Sequence, residues 1–218
     1  KGLLIYKYYL ETISNILRDM GININTVPVL DLLQSSTHSI IQERSYSSNL
    51  ETVKYLGKFC ISFFKDKKIG TVAKHAPGHG CANVDSHKKL PVVNKSTRHL
   101  YKKDFAAFNN LNSHFLMTAH VLYKKIDSKK SATISKKIIN KIIRKKLKYK
   151  GIIISDDISM RALSKDIVTN AKKALNAGCN LVLHCSGDIK ETTSLLNNLN
   201  TIDKFTRKKT HHFYEFLR

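Results

Sequence analysis

The chain has 218 residues and a formal net charge of +22, with 38 Lys plus Arg against 16 Asp plus Glu. Hydrophobic residues make up 42 % of it, which is enough for a sizeable core and excludes a wholly disordered chain. The longest apolar runs are far below the roughly 18 residues that a membrane span needs, so no membrane insertion is expected. The four cysteines have no CxxC spacing, which favours reduced thiols and a cytoplasmic protein.

The high positive charge raises nucleic acid as a partner, because Lys and Arg neutralise phosphate backbones. The basic residues are, however, spread over nearly every predicted surface helix, and Lys greatly outnumbers Arg. No RNA-binding aromatic pattern, zinc finger or helix-turn-helix accompanies them. We therefore expect no specific nucleic-acid partner, and we interpret the excess of Lys, Ile and Asn as compositional drift.

Short runs rich in Ile and Val alternate with longer segments whose apolar residues recur every three or four positions. This alternation predicts an α/β fold of repeated β-then-α units, with a parallel sheet covered by helices. The predicted strands are Ile24 to Asp31, Ile69 to His75, Phe115 to Val121, Gly151 to Asp156 and Asn180 to Cys185. The predicted helices lie near Tyr6 to Met20, Asn49 to Lys65, Thr97 to Asn109, Ser135 to Lys148, Ser164 to Ala177 and Lys204 to Arg218. No internal boundary divides residues 1–218, so a single domain is expected.

Polar residues stand at the carboxyl end of each predicted strand. They are Asp31, Lys74-His75, His120, Asp156-Asp157 and His184-Cys185. In a parallel α/β architecture these strand ends share one rim, which is where barrels and open sheets place their sites. The pattern therefore predicts a functional site on that rim.

A loop shaped by Pro and Gly follows the second predicted strand. Its sequence is Lys74-His75-Ala76-Pro77-Gly78-His79-Gly80. Asp85 and His87 follow, two positions apart, so the carboxylate can reach an imidazole nitrogen, fix its tautomer and raise its basicity. This spacing predicts an acid/base pair.

The fourth predicted strand ends in two adjacent carboxylates, Asp156 and Asp157. Successive side chains of a strand point to opposite faces, so we expect only one of them to face a cavity. A carboxylate in that position can act as a nucleophile, a base or a metal ligand. Asp157 can alternatively cap the helix that follows.

Taken in order, three motifs resemble the β-N-acetylhexosaminidases of glycoside hydrolase family 3. They are Lys-His-x-Pro-Gly-His-Gly at 74–80, Asp-Ser-His at 85–87 and Ser-Asp-Asp-x-Ser-Met at 155–160. Flanking segments are also similar: Pro-Val-Leu-Asp at 28–31, Glu-Arg-Ser-Tyr at 43–46, Met-Thr-Ala-His at 117–120 and Ala-Gly-Cys-Asn at 177–180. The similarity covers nearly the whole chain.

The resemblance implies a role for each matched residue. Asp156 would be the nucleophile, His87 the general acid/base and Asp85 its partner, while Lys74, His75 and Arg44 would bind the hydroxyls of N-acetylglucosamine. The implied reaction retains configuration, needs no cofactor or metal, and releases N-acetylglucosamine from muropeptides during bacterial cell-wall recycling. A His in the acid role departs from the usual pair of carboxylates. A monomer is expected.

The sequence departs from the family pattern in two places. No Asp-x-Glu-Gly-Gly segment, which binds the sugar in relatives, is found, and Ala76 stands where the family usually has Phe. About five of eight βα units are recognisable. We therefore expect a TIM (β/α)8-type barrel that is incomplete at its amino terminus.

Two other interpretations remain open. A metal-dependent barrel hydrolase could use a set of six rim residues as ligands: His75, His79, Asp85, His87, His120 and Asp156. Alternatively, the chain is an inactive truncated remnant that acts as a basic binding protein. We also expect Cys179 and Cys185 to be core residues and not redox partners.

Overall fold

The centre of the computed structural model, which describes residues 1–35, 37–163 and 166–218, is a curled parallel sheet that forms a half-barrel. Its five strands are β1 (Ile24–Asn25), β2 (Gly70–Ala76), β4 (Phe115–Thr118), β6 (Ile152–Asp157) and β7 (Leu181–Leu183), in the order β1-β2-β4-β6-β7. Every neighbouring pair is parallel. The predicted α/β class and all five predicted strands are therefore confirmed, and the sheet forms half of a barrel.

Helices follow the strands, as the apolar periodicity predicts. They are α1 (Gly2–Asp19), α2 (Ser39–Gln42), α3 (Leu50–Asp66), α4 (Thr97–Lys102), α5 (Ile167–Ala177), α6 (Ile189–Asn198) and α7 (Lys204–Leu217). Two 3-10 turns, Phe105–Phe108 and Ala132–Ile134, and a π-helical segment, Lys137–Lys146, complete the connections. A second sheet pairs two short strands in parallel, β3 (Val92–Val93) and β5 (Leu122–Tyr123). No helix formed by the described residues is both long and apolar enough to cross a bilayer.

Alternate residues of each strand face opposite sides of the curled sheet. Ala73, Leu116 and Ile153 belong to the main core between the sheet and the outer helices. Their neighbours along the strands lie on the concave face, which is the inner side of the curled sheet. There they form a second core, made by Val72, Phe115, Met117 and Ile152 with Phe213 of α7. Burial on both faces explains why the strands are apolar without clean alternation.

The predicted final helix is confirmed as α7, and it packs across the amino-terminal ends of the strands. Near its start Thr206 accepts a hydrogen bond from Nδ2 of Asn180 at 2.9 Å, and further along the Phe213 ring lies 5.0 Å from the Phe115 ring. Gly70 permits this approach, since a Cβ there would meet the Phe213 ring at 2.5 Å. The concave face is thus covered at its amino end and open at its carboxyl end.

Several predicted boundaries are wrong. The first strand is short because Pro28 has no N–H for the ladder, although pairing resumes where Leu30 N donates to Lys74 O at 2.7 Å. The helix predicted to reach Asn109 ends at Lys102. Helices α2 and α6 and strands β3 and β5 are not among the predicted elements. The predicted start of the fifth helix, Ser164, lies outside the described residues.

Candidate active site

Side chains at the carboxyl ends of the strands surround a cleft of about 370 Å³. Among its lining residues are five of the six predicted site residues: Arg44, Lys74, His75, His87 and Asp156. The sixth, Asp85, binds His87. The rim predicted from the polar strand ends therefore exists. The volume of its cleft is at the lower end of the range for small-ligand sites, roughly 300–1,000 Å³.

A buried carboxylate beneath the cleft holds the loop that follows β2. Oδ2 of Asp31 lies 2.7 Å from Nδ1 of His75, and its Oδ1 accepts the backbone N–H of His79 at 2.7 Å. Burial alone would raise the pKa of Asp31, but the histidines lower it, so the carboxylate stays ionised. The sequence placed Asp31 on the rim but did not reveal that it orients His75.

The same loop requires glycine at Gly80, where an added Cβ would come within 2.0 Å of the backbone oxygen of Leu32. This contact brings the loop against the segment after β1. Ala76 is fully buried in the main core. The loop is therefore fixed by close packing.

The predicted acid/base pair is present. Oδ1 of Asp85 lies 2.7 Å from Nδ1 of His87 and also accepts the backbone N–H of His87 at 2.9 Å. Burial raises the pKa of Asp85, but these hydrogen bonds lower it and prevail. The His87 side chain is 57 % exposed, and its Nε2 lies on the side of the ring away from the carboxylate contact, where a ligand can approach it.

The two adjacent carboxylates of β6 have different environments. Asp156 lies on the concave face, as Ile152 and Ile154 do, because alternate residues of a strand share a face. Its Oδ1 accepts a hydrogen bond from the backbone N–H of Asp157 at 2.9 Å. Asp157 also contributes to the lining of the cleft. The carboxylate of Asp157 is instead engaged by Ser159 and by the backbone N–H of Cys185.

Asp157 does not cap the next helix, because the N-cap of α5 is Asp166. Its hydrogen bonds to Ser159 make a turn that directly follows β6. Nearby, Ala162 N donates to the backbone oxygen of Ser86 at 3.2 Å. This bond ties the loop of the acid/base pair to the segment after Asp156.

Lys74 and Arg44 supply positive charge to the cleft. Burial lowers the pKa of Lys74, and Arg44 lowers it further, while Asp156 and Asp31 act in the opposite direction. Arg44 is held by a hydrogen bond from its Nε to Ile40 O at 2.8 Å. These cations offer several hydrogen-bond donors to a hydroxyl-rich or anionic ligand.

His120, the polar residue predicted at the end of the third strand, is part of the protein interior. His120 is fully buried, with Nδ1 at 2.7 Å from Oγ1 of Thr133 and Nε2 at 2.9 Å from Asp157 O. It supports the end of β6 from below and does not line the cleft.

Cys179 is buried as expected, whereas Cys185 is exposed and lines the cleft, so the core prediction is wrong for Cys185.

The ligand set of the metal-dependent alternative does not converge. Within the part of the chain that the structure describes, no three of the six suggested residues bring their ligand atoms within 4.8 Å of one another. His75 binds Asp31 and His87 binds Asp85, so the groups are divided between separate contacts. The arrangement instead presents a carboxylate, a His–Asp pair and two cations to one cleft.

Residues 6–212 match the N-terminal domain of glycosyl hydrolase family 3. The chain belongs to this family. It is 34 % identical over 184 residues to a β-hexosaminidase of Psychromonas ingrahamii, covering 82 % of this chain and 53 % of that protein.

Solved structures of related enzymes have the same fold as this chain. A family 3 β-N-acetylglucosaminidase from Paenibacillus aligns with a TM-score of 0.88 and 29 % identity, over 99 % of this chain and 43 % of that one. NagZ from Neisseria gonorrhoeae, in complex with N-trifluoroacetyl-D-glucosamine, aligns with a TM-score of 0.81 and 27 % identity, over 94 % and 58 %. This family 3 chain spans about half the length of the curated relatives it matches.

Buried His79 makes stability depend on pH. Burial lowers its pKa from 6.5 to about 4, so the unfolded chain binds a proton at a higher pH than the folded chain does. We expect the free energy of unfolding to fall as pH drops from 6.5 to 4, with about 3 kcal/mol from His79 at full extent. Asp31, whose pKa is lowered from 3.8, loses its contribution only below that window.

Denaturant unfolding at pH 7.5 and 4.5 measures this effect. His79→Gln removes the titrating group and should show a smaller difference between the two pH values than the wild type. His211→Gln is the matched control, because the His211 side chain is 70 % exposed and should leave the difference unchanged. An unaltered pH difference in His79→Gln would show that the ring is not buried in its neutral form.

Proposed function

We propose that this chain carries the active site of a retaining β-N-acetylhexosaminidase that hydrolyses terminal β-linked N-acetylglucosamine. The observation that supports this most directly is that Asp156 and the Asp85–His87 pair share one cleft. A nucleophile and a separate proton-transfer group are the two parts that a retaining glycosidase needs. The β-hexosaminidase names of the relatives point to the same reaction.

In the first step, the Asp156 carboxylate attacks the anomeric carbon. The bond from that carbon to the leaving oxygen breaks, and protonated His87 donates its Nε2 proton to the leaving oxygen. In the second step, neutral His87 takes a proton from water, whose oxygen attacks the same carbon and displaces Asp156. Asp85, bound to Nδ1, keeps His87 in one orientation and stabilises the imidazolium.

Lys74, His75 and Arg44 are proposed to bind the sugar hydroxyls. Asp31 fixes His75 through Nδ1, which leaves Nε2 for the ligand. The side chain of Lys74 projects from β2 on the same face as Val72. It therefore points toward the concave side of the sheet, next to Asp156. Binding groups on strand ends hold the sugar more rigidly than groups on mobile loops would.

The proposed substrates are N-acetylglucosamine-containing muropeptides, and the proposed location is the cytoplasm. Muropeptides are the substrates that the family resemblance implies, and four free thiols suit a reducing compartment. We also propose that the half-barrel is an incomplete barrel of the TIM (β/α)8 type. The monomeric state stays a prediction, which size-exclusion chromatography with light scattering would test.

Hydrolysis of 4-nitrophenyl N-acetyl-β-D-glucosaminide by the purified chain tests the proposed activity. We expect release of nitrophenol that is insensitive to a strong chelator. His87→Gln should lower the rate by about 10²- to 10⁴-fold, because the second step loses the base that takes a proton from the attacking water. His211→Gln, an exposed substitution of the same kind, should retain the wild-type rate.

Three results would argue against the proposal. No hydrolysis by a chain shown to be folded by circular dichroism would favour the truncated binding protein. Loss of activity with a chelator would favour the metal-dependent hydrolase. A kcat/KM for a muropeptide no higher than for a disaccharide of N-acetylglucosamine, whose leaving group is also an unactivated sugar hydroxyl, would remove the muropeptide assignment while leaving the glycosidase intact.

A further inference from the structure

A second cluster of ligand-type side chains lies apart from the catalytic cleft. It joins Cys81, just after the loop of β2, to His99 of α4 and to Asp104, which follows α4. Sγ of Cys81 lies 3.2 Å from Oδ2 of Asp104 and 4.0 Å from Nε2 of His99. The three ligand atoms all lie within 4.8 Å of one another.

These separations are close to those of a tetrahedral metal site. Zinc binds Cys sulfur at about 2.3 Å and His nitrogen or carboxylate oxygen at about 2.0–2.2 Å, which places tetrahedral S and N or O ligands about 3.6 Å apart. Both distances from Sγ are within about 0.4 Å of that value. Small side-chain movements would therefore bring all three atoms to one ion.

Gln34 completes the surroundings of the carboxylate. Its Nε2 donates to both oxygens of Asp104, at 2.9 and 3.0 Å, and its Oε1 lies 3.3 Å from Sγ of Cys81. Such an outer partner orients a ligating carboxylate and leaves one lone pair of each oxygen for other contacts.

The buried position of Asp104 favours a cation in this place. Asp104 is fully buried, and among the described residues it forms no salt bridge, since its side-chain partners Gln34 and Cys81 are neutral. A buried carboxylate without a cationic partner is costly. A divalent ion bound by the carboxylate and the thiolate would leave the cluster neutral.

An ion can also reach the cluster. Cys81 lines a surface cleft of about 290 Å³ together with Asn83, Asn94 and Lys95. His99 is only partly buried. The fourth coordination position therefore has a path to solvent.

We propose that Cys81, His99 and Asp104 bind a thiophilic divalent cation of the zinc class, with the fourth position open to the surface cleft. On binding, the Cys81 thiol releases its proton to solvent and the thiolate becomes the ligand. The ion links the loop that carries His79 and Gly80 to α4. It is a structural tie outside the catalytic cleft, so it is independent of the proposed glycosidase activity.

Titration of the metal-stripped full chain with Co²⁺ tests this site, because a thiolate ligand gives cobalt a charge-transfer band in the near ultraviolet. We expect one equivalent of Co²⁺ to produce the band and Zn²⁺ to abolish it by competition. Cys81→Ser should remove the band, and His99→Ala should weaken binding at least about tenfold. Zn²⁺ should raise the Tm of the wild type and not that of Cys81→Ser.

The controls separate this site from the catalytic cleft and from the surface. Cys185→Ser removes the exposed thiol of the catalytic cleft and should keep the band, and His211→Ala should keep the affinity. No thiolate band in the wild type, or a band lost in Cys185→Ser and kept in Cys81→Ser, overturns the proposal. If Cys81→Ser does not fold, an unchanged affinity in the partly exposed variant His99→Ala overturns it as well.

Discussion

Asp156→Asn should lower the rate of N-acetylglucosaminide hydrolysis by about 10³-fold or more, because an amide cannot form the glycosyl–enzyme bond. The substitution preserves the shape of the side chain and its hydrogen bond to the backbone of Asp157. The fold should therefore be unaffected, so the loss will appear in kcat. Initial rates with the nitrophenyl substrate, alongside thermal unfolding of the variant, measure it.

Asp157→Asn is the matched control for this prediction. Its carboxylate accepts hydrogen bonds from Ser159 and from the backbone N–H of Cys185. Its replacement should therefore disturb the turn after β6 and reduce the activity far less than Asp156→Asn does. A slow fluorinated substrate should also add one glycosyl mass to the peptide that contains Asp156. Equal losses in both variants, or labelling of another residue, would reject Asp156 as the nucleophile.

Phe213→Ala should lower the free energy of unfolding by about 3–5 kcal/mol, the usual cost of truncating a buried Phe. The Phe213 ring is 6 % exposed and lies 5.0 Å from the Phe115 ring and 5.1 Å from the His114 ring. It also occupies the space beside Gly70 that a side chain would fill. Its removal would leave a cavity between α7 and the amino ends of β2 and β4.

Denaturant unfolding followed by far-ultraviolet circular dichroism measures this loss. Tyr214→Ala changes the next residue of α7, whose ring is 65 % exposed, and should stay within about 0.5 kcal/mol of the wild type. Similar stabilities for both variants would mean that α7 does not cover the concave face in solution. The half-barrel would then leave that face open.

Local sequence patterns determined most of the secondary structure and the membership of the rim. Runs such as Ile152–Ile154 can be buried on both faces only in a covered parallel sheet, and strand polarity in such a sheet places Lys74, His75 and Asp156 at one end. The contact between Asp85 and His87 was also predictable, because two residues in a turn are within reach whatever the rest of the chain does.

Elements that depend on distant partners were predicted less well. The helix expected to reach Asn109 stops at Lys102, and Asp104 two residues later is buried against Gln34 and Cys81. Periodicity along a helix carries no record of such a contact. For the same reason, the six suggested metal ligands did not assemble, whereas Cys81, His99 and Asp104, whose spacing matches no short motif, did.

The sequence by itself determined the α/β class, the five strands, the family and the chemical groups available at the strand ends, because all of these follow from local periodicity and contiguous motifs. Only the tertiary structure decided that Asp31 lies beneath the cleft and holds His75, that His120 is buried support, and that α7 covers the concave face. These features join residues tens of positions apart. Their energies come from burial and hydrogen bonds that exist only once the strands have curled together.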